Sequence, residues 1–299
     1  MRHVIFLFNV NRFPMGFLSI LKRLFESDRV DLATHFEMLR EAVSGTMSSF
    51  HKARDLETGK IVGLKILDPL KVDPIENRYK GLSKPSEGEI GSRITGPHVA
   101  RTIRSGIATT QRAFIVFEFI DGTDLHSVLS SGTQLPPPKR LDLVRQAAMG
   151  IESVHKAGFV HRDICPRNFI LAHDGRLVLI DFGLTVPDKP EFLRPGNRVG
   201  TPNYMSPEVI RRRPIDKRLD IFSFGVTAFE ICTLHTPWPR GSSGLSALAH
   251  DSPPHDIRTL WPDIPEALAQ SIMLCLSSEP QDRPGSMGKV LTMIEKVTL

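Results

Sequence analysis

The chain has 299 residues, enough for one large domain or two lobes with a sizeable core. Apolar and charged shares of 40% and 24% are ordinary for a soluble globular protein and speak against a disordered or low-complexity chain. The net charge is only +5, and no basic stripe interleaved with aromatics accompanies it, so nucleic-acid binding is not expected. Arg211, Arg212 and Arg213 read as a solvated helix end. The cysteines Cys165, Cys232 and Cys275 stand far apart without metal-type spacing, which predicts reduced thiols in a cytoplasmic protein.

In chain order, Val4 to Phe8 is an apolar run interrupted by Asn9, Asn11 and Arg12. It is too short to span a bilayer, and no small-residue cleavage site follows, so a secretory signal is not expected. Phe17, Leu18, Leu21, Leu24 and Phe25 fall at helical spacing beside Lys22 and Arg23. They predict an amphipathic helix that packs on the following domain or makes a weak membrane-surface contact through residues 13–26. Asp68 to Pro85 is rich in proline and charge and reads as a loop. Ala113 to Phe119 reads as a strand. From Pro138 to Ala157 the residues Leu141, Val144, Ala148, Ile151 and Val154 recur three or four apart, which predicts a helix. Prolines 136 to 138 stand at its start, where proline is tolerated.

Val160 to Asn168 reads V-H-R-D-I-C-P-R-N, with Asp163 and Asn168 five residues apart on a predicted loop. The apolar run Leu177 to Ile180 then ends in Asp181-Phe182-Gly183. A short strand that delivers an aspartate into a Phe-Gly turn is suited to holding a metal. Asp163, Asn168 and Asp181 can so converge on one place, which suits phosphoryl transfer, where the protein positions reactants and neutralises charge. A turn or cap role is the competing reading for each acid. The register of all three weighs against it. Further on, Leu268, Ile272 and Leu276 share one helical face.

The succession H-R-D-x-x-x-x-N and D-F-G resembles the catalytic core of eukaryotic-like serine/threonine protein kinases. The similarity extends to Ile61-Val62-Gly63-Leu64-Lys65, to Gly200 through Glu208, to Asp220 through Gly225, and to Gln281-Asp282-Arg283-Pro284. It implies an α+β fold of two lobes with ATP between them. Residues 1–33 would be an N-terminal extension, 34–119 a small, mostly antiparallel lobe of five strands with one main helix, and 120–299 a helical lobe. It also implies transfer of the ATP γ-phosphate to serine or threonine of protein substrates, with Mg2+ as cofactor. By the same resemblance Lys65 holds the α- and β-phosphates, with Glu87 as its helix partner and Glu89 as runner-up. Gly45, Phe50, Phe117 and Ile170 surround the nucleotide, the backbones of Glu118 and Ile120 bond adenine, and Asp124 meets the ribose. Asp163 is the base, and Asn168 and Asp181 hold the metal. Glu208 and Arg283 form a buried ion pair. Asp220 binds the backbone at His161 and Arg162, with His161 structural.

The chain departs from that pattern in places. Of the glycine-rich loop positions Val43, Gly45 and Ser48, only the middle one is glycine. Phe50 replaces a valine, and Gly63 replaces an alanine that would offset the added bulk. Gly88 and Gly91 are poor helix formers, each costing about 1 kcal/mol against alanine, so the Lys65–Glu87 pair is expected to form part of the time. Gly91 replaces a bulky residue that stacks towards Phe182. Cys165 replaces a lysine at the γ-phosphate, a charge Arg167 is expected to supply. Arg162 normally meets a phosphate on the following segment. Between Gly183 and Gly200, however, Thr185 is the only hydroxyl residue, so Asp188 or Glu191 is expected to stand in. These departures leave an alternative: a pseudokinase that serves as a nucleotide-binding or scaffold module with little or no phosphotransfer. A small-molecule phosphotransferase would lack the Thr201 to Glu208 segment.

Overall fold

Runs of β-branched and aromatic residues build the first half of the molecule around one sheet. The structure is a computed structural model that describes residues 29–40, 43–44, 47–239 and 249–299. The expected helix within residues 13–26 and the nucleotide-loop Gly45 lie outside these. The sheet contains β1 (Arg29–Val30), β2 (Phe36–Met38), β3 (Val43–Ser44), β4 (Ser48–Asp55), β5 (Ile61–Leu67), β6 (Thr102–Ala108) and β7 (Ala113–Glu118). Its order is β1-β6-β7-β5-β4-β2, with β3 also on β4. All neighbours run antiparallel except β1, which lies parallel to β6 with Val30 opposite Ala108. β2 and β3 follow one line along β4, but Met38 faces Ala53 and Val43 faces Phe50, so the register slips between them. Counting lanes this way gives the five expected strands, and Arg29 and Val30 add a sixth at the edge. Val62, Leu64, Phe114 and Val116 of the two central strands bury against Phe36, Ala53 and Ala108.

The segment expected as a loop from Asp68 to Pro85 contains helix α1 (Pro69–Glu76), followed by a turn over Asn77–Tyr79. Its start signals are ordinary. Asp68 accepts from the Leu70 N–H, and Pro69 stands at the first helical position, where a missing N–H costs nothing. No residue of α1 is buried, so the helix leaves no apolar periodicity in the sequence. Helix α2 (Glu87–Arg93) follows, opened by a capping box between Ser86 and Glu89.

The second half is helical. The main elements are α3 (Leu125–Ser130), α4 (Pro137–Lys156), α5 (Pro207–Ile210), α6 (Arg218–Thr233), α7 (Glu266–Cys275) and α8 (Met287–Ile294). Every residue of α6 from Leu219 to Cys232 is buried, as expected of a helix that is apolar on all sides and central to its lobe. Two small sheets lie between the lobes. One joins β8 (Gly122–Asp124), β10 (Phe169–Ala172) and β11 (Leu177–Leu179), and the other joins β9 (Phe159–Val160) to β12 (Val186–Pro187). Leu179 ties the halves together, since its N–H donates to the His98 carbonyl and its carbonyl accepts from Ala100, each at 2.9 Å. No helix among the described residues is long and apolar enough to cross a membrane.

Candidate active site

Lys65 projects from the middle of β5, a central strand, and is 6% exposed. Its Nζ lies 2.6 Å from Glu87 Oε1 and 2.8 Å from Asp181 Oδ1, so a strand, a helix and the turn after β11 meet at one ammonium. Burial disfavours that charge, but Asp181 and Glu87 outweigh it and hold the lysine above its ordinary range. Desolvation likewise penalises Asp181. Lys65 and the Gly183 N–H, 3.0 Å from Oδ1, outweigh it and keep the carboxyl below the usual range. Burial lifts Glu87 above its usual range in spite of Lys65. Glu89 is turned away into the capping box, with Oε2 2.7 Å from the Ser86 N–H.

The Val160–Asn168 loop is pinned from below. Asp220 of α6 is fully buried and accepts the N–H groups of His161 and Arg162, each at 2.8 Å, and His155 Nε2 at 2.9 Å. Desolvation opposes its charge, but these partners outweigh it and hold the Asp220 carboxyl low. Arg162 takes a left-handed backbone, φ 72°, and so turns Asp163 outwards. Asp163 Oδ1 accepts from the N–H and the hydroxyl of Thr201, both at 2.8 Å. Asn168 Nδ2 donates to the Asp163 carbonyl at 2.7 Å and to its Oδ2 at 3.0 Å. The Ile180 N–H donates to the Asn168 carbonyl at 2.8 Å and so joins the two motifs. His161 accepts from the Asp163 N–H through Nδ1 at 3.3 Å, and its ring meets Phe182 edge-on at 5.8 Å. Burial keeps it neutral by lowering its pKa.

On the nucleotide side, Phe117 is buried at the end of β7, and Ile170 and Ile120 belong to one apolar cluster below it. The backbone N–H and carbonyl of Ile120 make no hydrogen bond among the described residues, which leaves an edge free for a ligand. Glu118 directs its carboxylate to the Arg101 N–H at 3.0 Å. Asp124, expected at a ribose, caps α3 and accepts from the N–H and hydroxyl of Ser127 at 2.9 and 2.6 Å. A Cβ built on Gly63 would fall 2.7 Å from Phe50 Cζ, so the missing methyl makes room for that ring.

At the loop itself one expectation changes, that for Asp188 and Glu191, while Arg167 and Cys165 take partners of their own. Arg167 is exposed, its Nη2 lies 3.4 Å from His126 Nε2, and among the described residues its guanidinium forms no hydrogen bond or ion pair with Asp163, Asn168 or Asp181. Nothing in the sequence marks His126, a lone residue one position into α3, except its spacing from Asp124 at the same rim. The Cys165 thiol sits 3.5 Å from the Thr201 hydroxyl, and burial pushes its pKa up to about 12, so it stays neutral. Neither Asp188 nor Glu191 pairs with Arg162. The Asp188 N–H is instead held on the Gly158 carbonyl at 2.8 Å, which extends the β9–β12 ladder, and the Arg162 guanidinium donates to the Tyr79 hydroxyl.

The two glycines of α2 have a positive role. A Cβ on Gly88 would lie 2.4 Å from the Ser105 Cβ, and one on Gly91 would lie 2.3 Å from Thr102 Oγ1 and 3.4 Å from Phe182. Their absence lets α2 lie against β6 and brings Glu87, its first residue, onto Lys65. Gly88→Ala should therefore push the helix off the sheet and weaken ATP binding by about tenfold, although alanine is the better helix former by ~1 kcal/mol. Adding Ser105→Gly should restore affinity in nucleotide titrations. A Gly88→Ala variant with unchanged affinity would show that the close approach is dispensable.

A family model described as protein kinase domain matches residues 36–293. The chain is 31% identical to serine/threonine-protein kinase pkn3 of Myxococcus xanthus, over 81% of this chain and 46% of that protein. It is 27% identical to a probable serine/threonine-protein kinase of Clostridium acetobutylicum, over 89% of this chain and 40% of the other. With serine/threonine-protein kinase PknD of Mycobacterium tuberculosis the identity is 28%, over 85% and 38%. The chain thus spans less than half the length of each of these relatives. The match runs through both lobes and includes the residues gathered around Lys65 and Asp163, and on it the chain belongs to the protein kinase domain family.

Proposed function

We propose that the chain transfers the γ-phosphate of ATP to serine or threonine hydroxyls of protein substrates. The observation that carries this reading is the Lys65 ammonium bound to Glu87 and Asp181 at once, at 2.6 and 2.8 Å, beside a loop that presents Asp163 and Asn168. Use of ATP and a divalent metal is general in the family. Asn168 Oδ1 and Asp181 Oδ2 accept no hydrogen bond among the described residues, so a hard cation finds two free oxygens there, and Mg2+ is the ion we assign. When bound, it screens the phosphate charges. One carboxylate and one amide suffice for an ion that shares its shell with water and phosphate oxygens.

The protein's own part is positioning. Lys65, kept charged by its carboxylates, holds the α- and β-phosphate oxygens. Thr201 and Asn168 fix both oxygens of Asp163, which takes the proton as the substrate oxygen bonds the γ-phosphorus and the bond to the bridging oxygen breaks, releasing ADP. Thr201 stands in the Gly200-Thr201-Pro202 segment of serine/threonine type, which supports those acceptors over tyrosine. The pseudokinase reading draws on two observations: Phe50, 37% exposed, lies over Gly63, and neutral Cys165 stands where a lysine is usual. We further place the protein in the cytoplasm, with reduced Cys165, Cys232 and Cys275 all free and buried, and without a nucleic-acid partner. A weak membrane-surface contact of residues 13–26 rests on their helical spacing alone.

The deciding experiment incubates the purified chain with Mg-ATP and casein. Phosphoserine or phosphothreonine should form with wild type and not with Asp163→Asn. Nucleotide binding without any transfer, to casein or to the chain itself, would leave the pseudokinase reading.

A further inference from the structure

Between Lys65 and Glu87 the chain leaves the small-lobe sheet for a detour of α1, the Asn77–Tyr79 turn and a loop. α1 buries none of its residues, and the detour is anchored near its end. Lys84, with its side chain 4% exposed, pairs with Glu76 at 2.8 Å and lies 5.8 Å over the Tyr79 ring. Tyr79 is itself only 5% exposed. Its ring leans on Phe192 at 5.9 Å and shares a buried cluster with Val186, Leu193 and Val209, all on the segment that runs from Asp181 to α5. Its hydroxyl accepts from Arg162 Nη1.

Arg162 is what the hydroxyl serves. It is a cation only 6% exposed, in a left-handed conformation, next to Asp163. A buried guanidinium demands a partner. No aspartate or glutamate among the described residues forms an ion pair with it. Phosphorylation of the following segment does not offer one either. Thr185 is the only hydroxyl residue between Gly183 and Gly200 and is fully buried, and the Thr201 hydroxyl is held on Asp163.

We propose that Tyr79 is a positioning residue for the catalytic loop. From the small lobe it holds the Arg162 guanidinium, and with it the backbone that presents Asp163, so that the loop is set without phosphorylation of the segment after Asp181. Because Tyr79 lies in the chain between Lys65 and Glu87, the same detour links closure of that ion pair to the base. The catalytic half of this proposal rests on the kinase reading above; the structural half does not.

The test uses the full chain, treated with phosphatase and shown by mass spectrometry to carry no phosphate. Wild type, Tyr79→Phe, Arg162→Leu and the double variant are compared with Mg-ATP and casein. Tyr79→Phe removes one oxygen and keeps the ring on Phe192. Its kcat should fall at least about tenfold while KM for ATP stays within about twofold. In the Arg162→Leu background the same change should cost less than about twofold, because the partner is already gone. Amide exchange of residues 159–168 should rise in Tyr79→Phe, with α6 unchanged. An unaltered kcat in Tyr79→Phe, an equal loss in the Arg162→Leu background, or a dephosphorylated wild type that gains activity only on phosphorylation would overturn the proposal. A wild type that transfers no phosphate under any condition overturns the kinase reading instead. The exchange arm then decides the clamp alone, and unchanged protection of residues 159–168 would sink it.

Discussion

Asp181→Ala should abolish metal-dependent phosphoryl transfer, whereas Asp163→Asn should keep nucleotide bound and lower turnover by about 10²–10⁴-fold. The two aspartates differ in what surrounds them. Asp181 receives Lys65 at 2.8 Å and the Gly183 N–H at 3.0 Å on one oxygen and leaves the other free. Its loss removes the one carboxylate of the proposed metal site among the described residues and one of the two that keep Lys65 charged and aimed. Asp163 is instead held by Thr201 and Asn168, and those bonds position it without engaging Lys65. An asparagine at 163 retains one acceptor for Thr201 but cannot take a proton, so the loss falls on the chemical step. Nucleotide titrations with and without Mg2+, set beside single-turnover transfer, separate the outcomes. Transfer by Asp181→Ala at the wild-type rate would refute the assignment of the metal site.

What the sequence disclosed follows from how local each signal is. Asp163, Asn168 and Asp181 lie within one short stretch at fixed spacing, and Lys65 stands in a strand whose β-branched and apolar run is plain. The resemblance favours Glu87 over Glu89, and the capping box consumes Glu89. The contacts that stayed hidden are long in sequence or depend on something missing. Tyr79 reaches Arg162 across 83 positions from a segment without periodicity. Gly88 and Gly91 read as weak points of a helix, because propensity counts what a residue does to its own helix and ignores the neighbour it lets in. Asp188 reads as a charge in search of a partner, but the backbone ladder from β9 holds its N–H on Gly158. The charge of Arg167 is plain in the sequence, whereas the neighbour its side chain meets, His126, belongs to another element.

The largest effect on stability should come from the pair that fastens α5 to the end of the domain. Arg283 donates to Glu208 through both Nη atoms, at 2.7 and 2.8 Å, and the two side chains are 0% and 3% exposed. The remaining donors of Arg283 go to the carbonyls of Ser277, Ser278 and Arg218, and its plane lies 4.9 Å from the Phe222 ring. A guanidinium so fully engaged cannot follow a missing carboxylate into water. Glu208→Ala or Arg283→Met should therefore cost about 3–5 kcal/mol, most of it the cost of a stranded buried charge. Glu208→Leu combined with Arg283→Met should lose less than the sum of the single changes, since both charges leave together. Urea unfolding without nucleotide measures all of these. The consequence for function follows from position: Glu208 comes seven residues after Thr201, and between them only a short turn intervenes, tied to α6 by the Tyr204 hydroxyl on Glu230 at 2.6 Å and by the Ser223 hydroxyl on the Tyr204 carbonyl at 2.7 Å. Partial loosening at 208 should free Thr201 from Asp163 before the lobe itself unfolds. The single variants would then lose phosphoryl transfer at urea concentrations where the helical signal is still intact, and coincident loss of the two would mean that the pair holds the lobe and not the segment.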